Sequence, residues 1–573
     1  MGAVAVAALL LRLVLLVARG DYIVYDEGYY LHIARNLAGG HGFTLNGLPH
    51  VALSPLQPLL VAGLTLAGVP LLWASRLLAA VAGALLVVPV AFLARRWYGE
   101  SAGLAAALFA AASPALLTFL PFFPGERWNL YFGSEPLFLL LGASAIVAAI
   151  HATDDGGWRW WMALGALAAS SYLARLEGAV LGLALAVATL VSLATRGKLT
   201  LLPRALVGAG IAAAVVAPYL LYLHGALGRW AVSGRVQAAA AVEQATAEPG
   251  QGGGSDAVRA FIWGGDQEAL WRTLYALDAS GTRMASQYWG VTLRAVTAEG
   301  EGGGVTPQRA LTGRSKAEPP RLSPRPRPHA SPPRLRPALV AWRALHAVLP
   351  WWFLALALGC VLGKRRRGDQ VLWLAPMLLT AIVPAALAYV EPRALLMLVP
   401  MACVLVAKTV DGLIEAAVKR WPVRWIAPAA VVAVTIGLLV PTARDLGRAG
   451  SAATPLQQVA SARRAVGEYL GAHLPPDAVI VSWHPAIGVF SGREWRVLPY
   501  DSFERIAGYA RAQHAAAVVF SRFEPSPLRD PPRAFTVVLL DSAGVATGPN
   551  VRFERVDETP LLFVGRLAPE PAP

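Results

Sequence analysis

The chain has 573 residues, 56% of them hydrophobic and only 15% charged, and its mean hydropathy is +0.51. An ordinary soluble domain carries about 25% charged residues, so a soluble globule, a disordered chain, a collagen-like repeat and a disulfide-framed protein are all excluded. The formal charge of +15 would suggest nucleic acid in a soluble protein; in so apolar a chain the basic residues belong beside membrane spans instead, and no nucleic-acid partner is expected.

Eleven apolar runs follow in chain order: 3–18, 73–93, 102–122, 136–150, 160–173, 179–193, 205–223, 347–362, 371–390, 395–407 and 425–440. A helical span requires roughly 20 residues, and several of these cores fall short of that length. The first reads as a retained helix, because it lacks a basic n-region and a small-residue cleavage site and is interrupted by Arg12. Alternate short loops hold Arg95 and Arg96, Arg159, Arg196 with Lys198 and Arg204, Lys364–Arg367, and Lys408, Lys419, Arg420 and Arg424. Such a bias assigns these loops to the cytoplasm, and an odd number of spans then puts the C-terminus outside. Cys360 and Cys403 both sit in apolar runs and supply neither a disulfide framework nor a cysteine metal cluster.

The expected fold is therefore an α-helical polytopic membrane protein, with about 11 transmembrane helices, interfacial helices and a small C-terminal extracytoplasmic α/β domain. Residues 1–442 form the membrane domain and 443–573 the outer domain, in a multi-pass protein of the cell inner (plasma) membrane. Two outer loops stand out, 19–72 and 224–346. The second contains 305–343, with nine Lys/Arg and nine prolines against one acid, a composition that cannot form a core. In the tail, helices are predicted near 456–470 and 503–514, and strands at 478–482, 516–520, 535–540 and 561–567.

Ionisable residues are read as nearly absent from the spans, Arg12 being the exception, and as gathered at their outer ends. Asp26 and Glu27 open a short helix that continues through Tyr29, Tyr30, His32 and Arg35. Tyr30, Ala34 and Leu37, or Tyr29, Ile33 and Leu37, give it an apolar face suited to the bilayer surface. A partly desolvated carboxylate there suits a general base, with helix capping as the plainer reading. A second short helix starts at Ser54-Pro55-Leu56-Gln57-Pro58 and reaches about Gly68. Further outer charges are Glu126 and Arg127, Glu135 in Ser134-Glu135-Pro136, Arg175 and Glu177 in one hairpin, and Glu391 and Arg393 in another. Glu27, His32 and His50 are the groups that could hold a divalent cation, at no recognised ligand spacing, and no metal site is assigned.

These motifs, in this order and on one side, resemble the GT-C glycosyltransferases. The closest group is the dolichyl-phosphate-mannose–protein mannosyltransferase and aminoarabinose transferase (ArnT-like) superfamily. Asp26-Glu27 with a following Tyr, the glycines at 39, 40 and 42, and Ser54-Pro55-Leu56 look like its first outer loop. Ser134-Glu135-Pro136 is similar to its second acidic motif, and Arg175-x-Glu177-Gly178 and Arg393 with Pro400 also fit. Ser491-Gly492-Arg493 and Leu498-Pro499-Tyr500 look like the outer domain of bacterial members. Tyr29 stands where aminoarabinose transferases carry Arg, and Ser54 where they carry Lys.

The resemblance implies transfer of a sugar from a polyprenyl-phosphate carrier, through the bilayer, to an extracytoplasmic lipid, glycan or protein acceptor, with inversion at the anomeric carbon. It implies catalytic roles for Asp26, Glu27 and Glu135, with Asp26 as base. Arg35, Arg127, Arg175 and Arg393 would bind the donor phosphate, and Tyr29, Tyr30, Glu126, Glu177 and Glu391 would position donor or acceptor. No cofactor is assigned, and a divalent metal stays open. Two rival readings remain: a transporter or flippase of lipid-linked sugars, which would show internal repeats and acids within spans, and a non-catalytic membrane protein with a glycan-binding tail.

Overall fold

The computed structural model describes residues 1–18, 23, 25–117, 119–120, 129–130, 133–234, 275–278, 280–284, 289, 342, 345–346, 348–362, 368–387, 392–421, 423, 425–451, 455–521, 535–539, 552–558 and 562–568. The basic run 364–367 and, apart from Trp342, the Pro/Arg-rich stretch 305–343 (Arg343 included) lie outside them. The chain separates into two compact units. One comprises Met1–Tyr22, Ser54–Tyr222 and Val340–Thr454; the other comprises Ile23–Leu53, Leu223–Leu339 and Pro455–Pro573. Residues 23–53 thus cluster with the tail and not with the helices that flank them in sequence.

The first unit is helical. It begins with α1 (Gly2–Ala18); α2 (Tyr25–Ala38) belongs to the second unit. Then come α3 (Leu56–Leu66), α4 (Leu71–Leu85), α5 (Val87–Tyr98), α6 (Glu100–Ala112), α7 (Glu135–Asp155), α8 (Trp158–Ala174), α9 (Glu177–Thr195) and α10 (Leu202–Leu227). After the long loop follow α11 (Trp351–Leu362), α12 (Gly368–Leu387), α13 (Leu398–Arg420) and α14 (Ile426–Ser451). Ten of the eleven apolar runs each fall on one of these helices, and the run 73–93 is divided between α4 and α5. Among the described residues, five stretches are long and apolar enough to cross a membrane: Leu71–Tyr98, Glu135–Asp155, Glu177–Thr195, Leu199–Leu227 and Ile426–Arg444. Shorter apolar helices accompany them. The chain is a multi-pass membrane protein.

The third predicted span, 102–122, stops early, at Ala112. Ser113 precedes Pro114 and is extended, with φ −60° and ψ 122°, because a following proline disfavours the helical conformation. Where α8 passes α10, the backbones touch: a Cβ on Gly165 would lie 2.0 Å from the carbonyl oxygen of Gly208.

One end of this unit is basic. Asp154 in the last turn of α7 accepts from Arg96 of α5 and, at 2.6 Å, from Arg196 after α9. Lys198 Nζ donates to the carbonyls of Thr153 and Asp154, both at 2.9 Å, and Arg204 donates to that of Gly156. Cations are favoured at these free carbonyls of a helix C-terminus. Basic residues of two predicted cytoplasmic loops, Arg96 of one and Arg196, Lys198 and Arg204 of the other, are thereby tied to the end of one helix.

The second unit is built on a six-stranded sheet. After the two short strands β1 (Thr44–Leu45) and β2 (Leu48–Pro49), and the pair β3 (Phe119–Leu120) and β4 (Asn129–Leu130) of the first unit, come β5 (Val479–Ser482), β6 (Glu494–Val497), β7 (Ala515–Ser521), β8 (Phe535–Leu539), β9 (Arg552–Glu558) and β10 (Leu562–Ala568). Their order is β6-β5-β7-β8-β10-β9. β5 is parallel to both β6 and β7, β8 is antiparallel to β7, β10 parallel to β8 and β9 antiparallel to β10. Helices α15 (Pro455–His473), α16 (Ala486–Ser491) and α17 (Phe503–Ala512) connect and cover the strands.

Alternation along the strands divides the core between the two faces. Ile480, Ala517 and Val519 meet Val459, Ala462, Val466 and Leu470, a stripe at helical spacing on α15. Val479, Val481, Val518 and Phe520 face the other way, against Ile506, Tyr509 and Ala510 of α17. Leu277, bridged to Met284 in the long loop, joins this second layer. β6, α16 and β9 are absent from the expectation, because Glu494 and Arg496 break the apolar signal in one strand and Arg552, Glu554 and Arg555 in the other.

Candidate functional site

The predicted site residues divide between the two units. In the first, three helix ends bring charges together. Glu135 opens α7 behind Ser134, Arg175 is the extended residue that ends α8, and Glu177 opens α9. Each has the sign that its helix end favours, acids at N-termini and a cation at a C-terminus. Arg175 Nη1 donates to Glu135 Oε1 at 2.5 Å. Its Nη2 and Nε grip Glu177 as a fork, at 2.7 Å to Oε1 and 3.2 Å to Oε2. Glu135 is 3% exposed and Arg175 7%.

Burial alone would lower the Arg175 pKa. The carboxylates of Glu135 and Glu177 outweigh it and raise that pKa well above its ordinary value, against an opposing contribution from Arg393. Arg175 is therefore a fixed cation. Arg393, in the 3-10 turn Pro392–Leu395 between α12 and α13, lies within electrostatic reach of it. The structure thus brings Glu135, Arg175, Glu177 and Arg393 together. Three N–H groups of Arg175, expected at a donor phosphate, are engaged with carboxylates.

Sequence reasoning missed Arg76. It sits in α4, inside an apolar run, and is 2% exposed. Its signal was plain, because an arginine within a span is a candidate functional group by default. Gln57 of α3 is buried as well. Arg12, the intramembrane charge of α1, donates to the carbonyls of Ala8 at 3.0 Å and Leu116 at 2.8 Å, so it ties α1 to the turn after α6.

In the second unit, Asp26 and Glu27 occupy the first turn of α2 as expected. Asp26 is half-buried and Glu27 wholly buried. The apolar face expected to lie in lipid is covered by protein instead. Tyr29, Tyr30 and Ile33 pack with Leu45, Leu53, Trp289, Trp495 and Val497, and Ala34 is buried too. Tyr29 meets the rings of Trp289 and Trp495 at 5.4 and 5.8 Å. Tyr29 and Tyr30 are core residues here, where positioning roles were expected.

Arg35, also expected at a phosphate, is used differently. Its Nη1 donates to the carbonyls of Gly488 at 3.2 Å and Arg493 at 2.9 Å, and its Nη2 to that of Val489 at 3.2 Å. These oxygens lie in and just after α16, a place where a cation is favoured.

Of the groups considered as cation ligands, Glu27, His32 and His50, both histidines bond to backbone within the fold. His32 Nε2–H donates to Pro485 O at 3.0 Å, and the ring stacks on Trp495. His50 Nε2 accepts from the Leu53 N–H at 2.9 Å. Burial pushes both imidazoles down to about 3, with Arg35 adding to the effect at His32. Among the described residues, no three His, Cys, Asp or Glu side chains are grouped to hold a metal ion. Glu126, Arg127 and Glu391 lie outside the described residues.

Residues 54–222 match the family described as dolichyl-phosphate-mannose-protein mannosyltransferase. The matched segment coincides with the Ser54–Tyr222 stretch of the first unit and contains Arg76, Glu135, Arg175 and Glu177. Among solved structures, the chain is similar to the apo oligosaccharyltransferase of Archaeoglobus fulgidus, with a TM-score of 0.51 at 14% identity over 91% of this chain and 69% of that one. The same protein with zinc and sulfate gives 0.50 at 14% identity, over 90% and 67%. ArnT from Cupriavidus metallidurans bound to undecaprenyl phosphate gives 0.41 at 15% identity, over 91% and 93%. No curated protein matches the chain. At such identity the oligosaccharyltransferase likeness is one of fold: the chain has a GT-C membrane fold.

Proposed function

We propose that the protein is a membrane glycosyltransferase that moves a sugar from a polyprenyl-phosphate donor to an acceptor outside the cytoplasm. The observation that carries this reading is the buried Glu135–Arg175–Glu177 cluster beside Arg393, inside a segment that matches a family named for a dolichyl-phosphate-mannose donor. A desolvated ion-pair network at helix ends is costly unless well paired. Its residue types suit a substrate that carries both phosphate and sugar hydroxyls.

In the reaction, the acceptor hydroxyl loses its proton to a carboxylate, for which Asp26 is proposed. The hydroxyl oxygen bonds to the anomeric carbon while that carbon's bond to phosphate breaks, which inverts it. The donor, a singly charged phosphodiester, leaves as polyprenyl phosphate and gains a negative charge. Arg393 is proposed to meet that charge, with Arg127 as a second partner. Arg175 holds Glu135 and Glu177 in place, and these orient donor or acceptor hydroxyls. The basic end of the first unit is assigned to the cytoplasm and the tail to the outside of the inner membrane.

The test is incubation of the purified full-length protein with a panel of polyprenyl-phosphate sugars and membrane acceptors, read by mass. A product heavier than an acceptor by one sugar residue supports the reading, and its loss with every donor in the panel removes it.

A further inference from the structure

We infer that the α/β tail is the seat that positions α2, and that His32 and Trp495 act as positioning residues for the Asp26–Glu27 pair. The inference rests on the proposed catalytic reading and deepens it.

The sheet supplies the first observation. β5 has β6 on one side and β7 on the other, all three parallel. The chain therefore leaves β5 at the point where the strand order reverses. In open α/β sheets, ligands bind outside the carboxyl ends of the strands at such a point. Here the loop leaving β5 carries Trp483, His484 and Pro485, and segments of this same chain pack on it. Tyr275 of the long loop stacks on Trp483 at 3.9 Å and accepts from the Tyr500 N–H at 2.8 Å. α2 docks on Pro485 and α16.

The α2 contact is close along its length. A Cβ on Gly28 would lie 2.5 Å from Pro485 Cγ, and one on Gly488 would lie 2.7 Å from His32 Cε1. Only glycines permit this approach. His32 donates to the Pro485 carbonyl and stacks on Trp495 at 5.2 Å and 22°. Trp495 is itself fixed, because its Nε1–H donates to Ser482 O at 3.1 Å and Oγ at 3.0 Å at the end of β5. Arg35 holds the far end of α2 through three carbonyls. Beyond α2, Asn46 Oδ1 accepts from the Val497 N–H of β6 at 2.9 Å.

A 14-residue helix is marginal alone in water. The position of α2, and so of its first-turn carboxylates, is set by what it packs on. Gly28 adjoins Glu27, and His32 lies about one turn further along. A displacement of about 1 Å at reacting groups can cost on the order of 10²-fold in rate. The tail would then be part of the catalytic frame and not a separate acceptor-binding module.

The test uses the full-length chain in the sugar-transfer assay, with the unaltered protein and Asp26→Asn as references. Gly28→Ala should lower kcat about 10–100-fold and leave the KM for donor unchanged. Pro485→Gly in the same chain should restore most of it by making room for the added methyl. His32→Gln, which can still donate to the Pro485 carbonyl, should retain more turnover than His32→Leu; this pair decides the matter if Gly28→Ala fails to fold. Full turnover in both Gly28→Ala and His32→Leu, with Asp26→Asn inactive, overturns the positioning role while leaving the catalytic reading intact. Full turnover in Asp26→Asn instead overturns the reading on which the inference rests.

Discussion

Arg175 Nη1 sits 2.5 Å from Glu135 Oε1, so the residue that ends α8 is locked to the residue that opens α7. The pair is buried, and the same guanidinium also holds Glu177. Removing one member of a buried pair leaves the other as an uncompensated charge.

Arg175→Ala is therefore expected to cost stability first, by about 3–5 kcal/mol, because it removes the buried cation to which both carboxylates are paired. Glu135→Gln keeps an acceptor oxygen for Arg175 and should cost less. Thermal unfolding in detergent, followed by tryptophan fluorescence, measures both. An Arg175→Ala protein as stable as the parent, with only donor affinity reduced, would instead make Arg175 a phosphate ligand.

Acid should weaken the second unit above the carboxylate range. His32 and His50 are buried as neutral rings, with pKa values depressed to about 3, and His484 is depressed in the same way by burial and Arg463. Unfolded, each titrates near 6.5. The unfolded chain then binds more protons below about pH 6.5. The stability is fully present above that pH and, for His32 and His50, is lost as pH falls from there toward 3, by about 1.4 kcal/mol per pH unit for each of the two; His484 acts in the same direction. Melting temperatures should be flat above pH 7 and fall between pH 6.5 and 5. A rise on acidification over that range would mean that a histidine gains a proton in the fold.

Sidedness can be read with cysteines in a background where Cys360 and Cys403 are serine. Thr200→Cys lies in the exposed turn after α9 at the basic end, and Ala472→Cys is exposed near the end of α15. In right-side-out vesicles, an impermeant maleimide should label Ala472→Cys directly and Thr200→Cys only after lysis. The reverse pattern inverts the topology.

What the sequence made legible is what apolar content alone decides. Runs such as 136–150 and 179–193 are so uniformly apolar that no other element fits, and helices stand there. In the tail, strands 479–482 and 515–521 announce themselves by β-branched and apolar residues between turn signals, and Asp26-Glu27 marks a helix start by the dipole. Contacts across hundreds of residues were not legible. Nothing near Tyr29 or Tyr30 says that Trp495 will cover them, so a buried face looked like a lipid-facing one. Likewise, Arg35 reads as a free cation until α16 presents its carbonyls. Arg175 reads as a phosphate ligand until α7 and α9 bring two carboxylates to it.

The central claim is that carboxylates of the predicted outer loops carry sugar transfer, with Asp26 as the base. Steady-state turnover of Asp26→Asn, beside Glu27→Gln and Glu135→Gln, tests it most directly in the polyprenyl-phosphate-sugar assay. Loss of a general base slows a reaction by about 10²–10⁴-fold, so Asp26→Asn should lose kcat to that extent while still binding polyprenyl phosphate. Glu135→Gln should be milder. Near-parental turnover in Asp26→Asn with a dead Glu27→Gln or Glu135→Gln would move the base to another carboxylate; undiminished turnover in all three would contradict catalysis by these carboxylates.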